Sequence, residues 1–223
     1  MRNVRYIPLD CNSNDNDFLN SNQSENVDSG RIFTAIKRTF DFWVSLIALI
    51  ILSPLMLLIA ICVKIDDPSG KIIYRQERLG MNGVEFILYK FRSMKTDAEK
   101  HGARWAAEND VRVTRVGVFL RRTRLDELPQ LLNIIKGNMS FVGPRPERDC
   151  FYKEFSKTIP NFYSRLAVKP GLTGLAQVNG GYNMLPEEKL EYDLRYIKTM
   201  SVYNDFKCLI ATAIVVITGY GAR

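Results

Sequence analysis

A chain of 223 residues with a formal net charge of +7 can hold one domain with a full core and appendages, but not two full domains. Its charge is uneven: residues 10–30 carry Asp10, Asp15, Asp17, Glu25 and Asp28 with no Lys or Arg, so the remainder is a basic body that seeks anionic partners. Four scattered cysteines without metal-ligand or redox spacing argue against a zinc centre or a disulfide scaffold, and a lone histidine, His101, leaves little room for a hydrolase triad.

Residues 1–30 are rich in Asn, Ser and Asp and lack apolar periodicity, which predicts a disordered polar tail. Asp15-Asn16-Asp17 within it matches a metal-binding DxD pattern and reads as chance. Residues 31–65 form the expected membrane segment. Its centre, Phe42 to Val63, is 22 residues without a charge, preceded by Lys37, Arg38 and Asp41. As a straight helix that run is about 33 Å long, against a bilayer core of about 30 Å. Ser53-Pro54 lies near its middle, and proline removes a backbone donor and disfavours helical geometry at the residue before it. Two geometries are open from the residues alone: a kinked spanning helix, and a re-entrant hairpin that enters and leaves on one face. Basic residues at both ends lean toward the hairpin.

Residues 66–223 are expected to form the catalytic domain. KIIYRQERLG and GVEFILYKFRSM flank Met81-Asn82 and predict a β-hairpin, with alternating residues facing a core. The stretch from Lys95 to Asn109 suits a helix. A run carrying Arg112, Arg115, Arg121, Arg122 and Arg124 then leads into TRLDELPQ, where Asp126 and Glu127 are adjacent. Pro129 and Gly137 are natural helix start and stop residues, so a short helix is expected just after the two carboxylates. Gly143-Pro144-Arg145-Pro146 fixes a stiff loop that limits the directions open to Arg145. KPGLTGLAQVNGG reads as a glycine-rich loop, residues 186–200 as an amphipathic helix, and the apolar run from Cys208 to Thr218 as too short to span a bilayer.

Surface salt bridging would account for the two carboxylates, but not for five arginines beside them. The surplus cations need an external anion, and phosphate fits the guanidinium fork. Phosphoryl transfer needs cations to neutralise the moving group, a divalent metal between carboxylate and phosphate oxygens, and a carboxylate as nucleophile or base. No P-loop or dinucleotide fingerprint occurs. Nucleic acid is the rival anion, but a basic patch joined to a 22-residue apolar run predicts an anion met at a membrane. A membrane-surface adaptor without catalysis stays open as the alternative.

Taken together, KRTFD, the Ser-Pro in the apolar run, YRQERLG, YKFRSM, RVTRVGVFLRRTRLDELPQLLNIIKGNMSFVGPRPE and KPGLTGLAQVNG resemble the bacterial sugar transferases, the monotopic polyprenyl-phosphate phosphoglycosyl transferases. The resemblance runs over residues 33–223. It implies a helix-rich α+β fold with a small antiparallel hairpin and a re-entrant membrane helix broken at Ser53-Pro54. It implies transfer of sugar 1-phosphate from a UDP-sugar to undecaprenyl phosphate, with release of UMP and with Mg²⁺, as the first membrane step of capsule, exopolysaccharide, O-antigen or protein-glycan synthesis. By the same resemblance Asp126 is the nucleophile that forms an aspartyl phosphosugar, and Glu127 supports it with the metal. Arg121, Pro144, Arg145 and Pro146 stand near the nucleotide and phosphates, and Lys37 and Arg38 at the lipid headgroups. The expected location is the bacterial inner membrane, with the catalytic domain on the cytoplasmic face and no nucleic-acid partner.

Overall fold

In the computed structural model of the protein, residues 27–98, 100, 110–180 and 184–218 are described, with side chains from residue 33 onward. His101, Cys11, Asp15-Asn16-Asp17 and most of the helix expected between Lys95 and Asn109 lie outside the described residues.

One apolar helix of 40 residues, α1 (Val27–Asp66), dominates the N-terminal part. It begins inside the stretch expected to be tail and runs unbroken through Pro54, where the Ser-Pro was expected to break it. The reason is local. Pro54 has no N–H for the carbonyl of Ile50, and the Ser53 hydroxyl donates to that carbonyl instead, at 2.8 Å. The helix is interrupted as a hydrogen-bond ladder but not as a helix.

A stripe along α1 is built into the domain. Asp41, Ser45, Ile59 and Val63 are buried, and between them Ala48, Leu49, Leu52, Leu55, Met56 and Ala60 pack on the core. Steps of three and four residues keep this stripe on one helical face. The other face shows Trp43, Ile47, Ile50, Ile51, Leu57, Leu58 and Ile61 to the outside.

The expected hairpin is present as β1 (Ile73–Leu79) and β2 (Glu85–Phe91), antiparallel, with Ile73 opposite Phe91 and Arg78 opposite Phe86. A short turn at Met81–Gly83 joins them, with Asn82 and Gly83 at positive φ as tight reversal requires. Phe86 and Leu88 drive one face of the hairpin into α1 and into α3 (Leu131–Lys136). Phe91 packs on α1 and on Leu120 of α2 (Arg115–Arg122).

The C-terminal half adds β3 (Ser140–Val142), α4 (Asp149–Phe155), β4 (Gly171–Thr173), α5 (Leu175–Asn179), α6 (Pro186–Lys198) and α7 (Val202–Thr218). β3 and β4 pair in parallel, so the fold is helix-rich α+β with two small sheets rather than one hairpin. Strands of three residues carry no readable alternation, which is why both read as loops in the sequence. A core of Tyr152, Ile159, Phe162, Leu166 and Leu190, with Leu79 from the end of β1, holds this half together and joins it to the hairpin.

Candidate active site

Three local events carry Asp126 and Glu127 to the end of the hairpin. Helix α2 is capped by Thr114, whose side chain accepts from Gly117 N–H, and Gly117 lies so close to the Ser93 carbonyl that a Cβ there would overlap it. Arg124 then takes a left-handed conformation, φ 56°, uncommon for a residue with a side chain, and turns the chain. Leu125–Gln130 follows as a tight 3₁₀ turn that holds the dyad and Pro129, so the carboxylates sit inside a turn and α3 starts only at Leu131. Gly137, at φ 84°, ends α3 as its position in the sequence predicts.

The helix that follows the turn, α3, is held against β2 by Asn133. Its side chain is fully buried, accepts from Tyr89 N–H at 3.1 Å and donates to the Ile87 carbonyl at 2.7 Å, like one more rung on the strand. Loss of either bond would leave a buried polar group unpaired.

Asp126 and Glu127 are each 8% exposed, too little for a surface salt-bridge pair. Burial and the adjacent Glu127 push the Asp126 carboxyl up to about 6, although Lys90, Arg121 and Arg145 pull it down. For Glu127 burial acts upward too, but Arg145, by charge and hydrogen bond, outweighs it with help from Arg124 and Lys90, and the group sits below the usual range. Arg145 Nη2 donates to Glu127 Oε1 at 2.5 Å. The two neighbours are thus driven apart, one poised to ionise near neutrality and one held ionised, a pattern associated with divided chemical roles.

Arg145 is aimed by its own loop. The Pro144 carbonyl accepts from Gly171 N–H at 2.9 Å, that of Arg145 from Arg165 Nη2 at 3.1 Å, that of Pro146 from Arg78 Nη1 at 2.9 Å and that of Glu147 from Leu79 N–H at 3.0 Å. Arg165 is itself locked by Asp193, Nε to Oδ2 at 2.6 Å, with both side chains 1% exposed. Arg121, the other arginine singled out in the sequence, donates through Nε to Ser93 Oγ at 2.9 Å.

A cavity of about 610 Å³ opens beside the dyad. Among its lining residues twelve are Lys or Arg, Lys90, Arg121, Arg124 and Arg145 among them, and one, Glu147, is acidic. Such a wall fits a ligand with several negative charges. The two carboxylates are not themselves in the wall. The cations nearest Asp126 are. Lys90 is the functional candidate the sequence did not single out, although it stands in YKFRSM. Burial, then the charge of Arg78, lowers its ammonium to about 8. Arg78, Arg165, Asp193 and Asn133 carried no sequence signal, because each matters only through a partner distant in the chain.

Among the described residues no group of three or more His, Cys, Asp and Glu could hold a metal alone. Mg²⁺ is usually held by one or two carboxylates together with substrate phosphates, and Asp126 with Glu127 fits that incomplete donor set.

Lys37 and Arg38 are engaged within the protein. Lys37 pairs with Asp205 at 2.5 Å. Arg38 donates to the Ile134 and Ile135 carbonyls at 2.6 and 2.7 Å, meeting orphan carbonyls near the end of α3. Outward apolar side chains on α1 continue on α2 (Val118, Phe119) and α7 (Phe206, Ile210, Ile214, Ile217). Exposed apolar side chains on several neighbouring helices mark a face suited to an apolar partner or a lipid surface.

A family model described as bacterial sugar transferase matches residues 32–219. Over 210 residues the chain is 41% identical to an Aeromonas hydrophila UDP-N-acetylgalactosamine-undecaprenyl-phosphate N-acetylgalactosaminephosphotransferase, covering 93% of this chain and 49% of the relative. Over 182 residues it is 42% identical to an Escherichia coli (strain K12) UDP-glucose:undecaprenyl-phosphate glucose-1-phosphate transferase, covering 79% and 39%. Over 191 residues it is 39% identical to the exopolysaccharide production protein PSS of Rhizobium leguminosarum bv. phaseoli, covering 80% and 94%. The chain therefore spans about half or less of the first two and nearly all of the third.

Proposed function

Because the chain belongs to the bacterial sugar transferase family, we propose that it transfers sugar 1-phosphate from a UDP-sugar to undecaprenyl phosphate and releases UMP. The observation that carries this reading is the buried Asp126-Glu127 pair beneath a cavity walled by cations, on a domain whose apolar helices face outward. The names of the relatives supply the substrate class, and the cavity has the charge for a diphosphate.

In this mechanism a carboxylate oxygen of Asp126 attacks the β-phosphorus as the bond from that phosphorus to the α-phosphate oxygen breaks. UMP leaves with the electron pair. The oxygen of undecaprenyl phosphate then attacks the same phosphorus, the bond to Asp126 breaks, and the carboxylate is regenerated. Arg121, Arg145 and Lys90 surround the charge that builds on the phosphoryl oxygens, and Arg145 also keeps Glu127 ionised. Mg²⁺, held by Glu127 and Asp126 with the diphosphate, would supply further charge neutralisation. A covalent intermediate suits substrates of opposite solubility, since UMP departs before the lipid arrives.

The membrane reading is monotopic. Arg38 and Asp41 near one end of the apolar run bond the domain at Ile134, Ile135 and Phe141, and Asp66 at the other end accepts from Val116 N–H at 3.1 Å. One domain bound at both ends is hard to reconcile with ends on opposite faces of a bilayer of about 30 Å. A shallow insertion of α1 that leaves both ends on the cytoplasmic face of the inner membrane fits these contacts, and Ser53-Pro54, where the ladder is already interrupted, is the point at which a re-entrant bend would form. Exposed Cys150 gives a test. An impermeant maleimide added to intact cells is expected to leave Cys11 and Cys150 unlabelled until the cells are opened. Labelling of Cys11 alone from outside would mean a spanning helix.

The reaction is tested by purified protein in detergent with UDP-glucose and UDP-N-acetylgalactosamine, measuring UMP. Release dependent on both Mg²⁺ and undecaprenyl phosphate is expected from at least one donor. Lipid binding with no UMP from any UDP-sugar would favour the adaptor.

A further inference from the structure

Twelve cations in the cavity wall account for phosphates, but a nucleotide sugar also carries neutral groups, and these need neutral partners. Most uncharged polar side chains of the wall are already committed. Gln76 bonds Arg78 and Tyr74. Ser69 and Thr96 donate to Asp67, and Ser93 accepts from Arg121.

Gln177 is different. It stands in the wall on α5 and is 9% exposed, and neither its amide nitrogen nor its amide oxygen has a hydrogen-bond partner among the described residues. A buried carboxamide missing both bonds carries an uncompensated desolvation cost at each unmet atom. Its amide oxygen lies close to Gly174. Gly174 lies against the Gly143 carbonyl with no room for a Cβ, and such a Cβ would come within 2.8 Å of Gln177 Oε1. That places the amide at the foot of the loop that presents Arg145. Among the polar wall residues it is a neutral donor and acceptor left unused.

We propose that Gln177 is a specificity-determining contact that pairs its amide with a neutral donor–acceptor group of the UDP-sugar. This assignment rests on the proposed reaction. Two parts of that donor carry the required chemistry: the imide edge of the uracil, and the hydroxyls or acetamido group of the sugar. A phosphate at neutral pH carries only acceptors and does not satisfy the amide nitrogen and oxygen together.

The test compares wild type with Gln177→Met, which keeps the length and removes both polar atoms, by calorimetric binding of UMP, UDP, UDP-glucose and UDP-N-acetylgalactosamine in detergent. Affinity is expected to fall about 10-fold in the variant, the loss expected for one or two hydrogen bonds. An equal fall for UMP and UDP-sugars assigns the contact to the base. A fall for UDP-sugars with UMP and UDP unchanged assigns it to the sugar. The melting temperature without ligand is expected to hold or rise, since an unmet buried amide is removed, whereas a merely structural glutamine would lower it. Unchanged affinity for all four ligands, while wild type binds them, overturns the assignment alone. Failure of wild type to bind any UDP-sugar overturns the proposed reaction and this assignment with it.

Discussion

Asp126→Asn is expected to abolish UMP release and any trappable phosphosugar adduct, a loss of at least about 10³-fold, or roughly 4 kcal/mol of transition-state stabilisation. The amide keeps the shape of the carboxyl and loses the nucleophilic oxygen anion, so undiminished turnover would remove Asp126 from the role proposed for it. The wild-type enzyme supplies a second reading. Burial and Glu127 raise the Asp126 carboxyl to about 6, so its reactive form is lost as pH falls. The rate should be half-maximal near pH 6 and drop about 10-fold per unit below it. Stability runs the other way. A carboxyl with a folded-state value above its unfolded value of 3.8 stabilises the fold fully below that unfolded value and loses this contribution as pH rises through about 6. At pH 7.5 the ionised Asp126 is therefore a strain on the fold, and the Asn variant, inactive, is expected to melt above wild type. Equal melting temperatures would mean that the buried charge is better compensated than its surroundings indicate.

Arg165→Met is expected to give the largest loss of stability. Arg165 and Asp193 form a fully buried pair at 2.6 Å, and Asp193 Oδ1 already lacks a partner among the described residues. Removing the guanidinium leaves a buried carboxylate alone, which typically costs about 3–5 kcal/mol. For a domain of this size that is a fall of roughly 10 °C in melting temperature. The double variant Arg165→Met with Asp193→Leu should recover most of the stability, because no charge is then left uncompensated. Activity should not follow. The double variant still lacks the donor to the Arg145 carbonyl, so the Pro-Arg-Pro loop loses one of its ties and kcat should stay depressed after the fold is restored. Recovery of both together would make the pair purely structural.

Legibility in the sequence followed the range of each interaction. The hairpin around Met81-Asn82, the stop at Gly137 and the amphipathic α6 are set by residues within a few positions of one another, and all three stand where the pattern predicts. At Ser53-Pro54 the helix stays continuous because proline removes a donor, and the side chain beside it supplies another to the same carbonyl. β3 and β4 were invisible for the opposite reason: Ser140 pairs with Gly171, and neither segment is long enough to show a period. The outward apolar faces of α1 and α7 could be counted from the sequence, but which face turned inward required the partner.

The sequence by itself determined the chemical inventory of this protein: two adjacent carboxylates, a surplus of arginine around them, a stiff loop presenting Arg145 and an apolar run of bilayer length. These are one-dimensional facts, fixed by covalent neighbours and by composition. Only the tertiary structure decided which cations attend the carboxylates, because Lys90 comes from β2 and Arg145 from a loop tied down by Arg78 and Arg165, and chain separation says nothing about direction. It also decided that Asp126 and Glu127, adjacent and alike in sequence, differ in charge state, since Arg145 bonds Glu127 and with its neighbours outweighs the burial there, while at Asp126 burial and the adjacent Glu127 outweigh the cations. That difference depends on where low-dielectric surroundings end and a guanidinium begins, and folding alone sets that boundary.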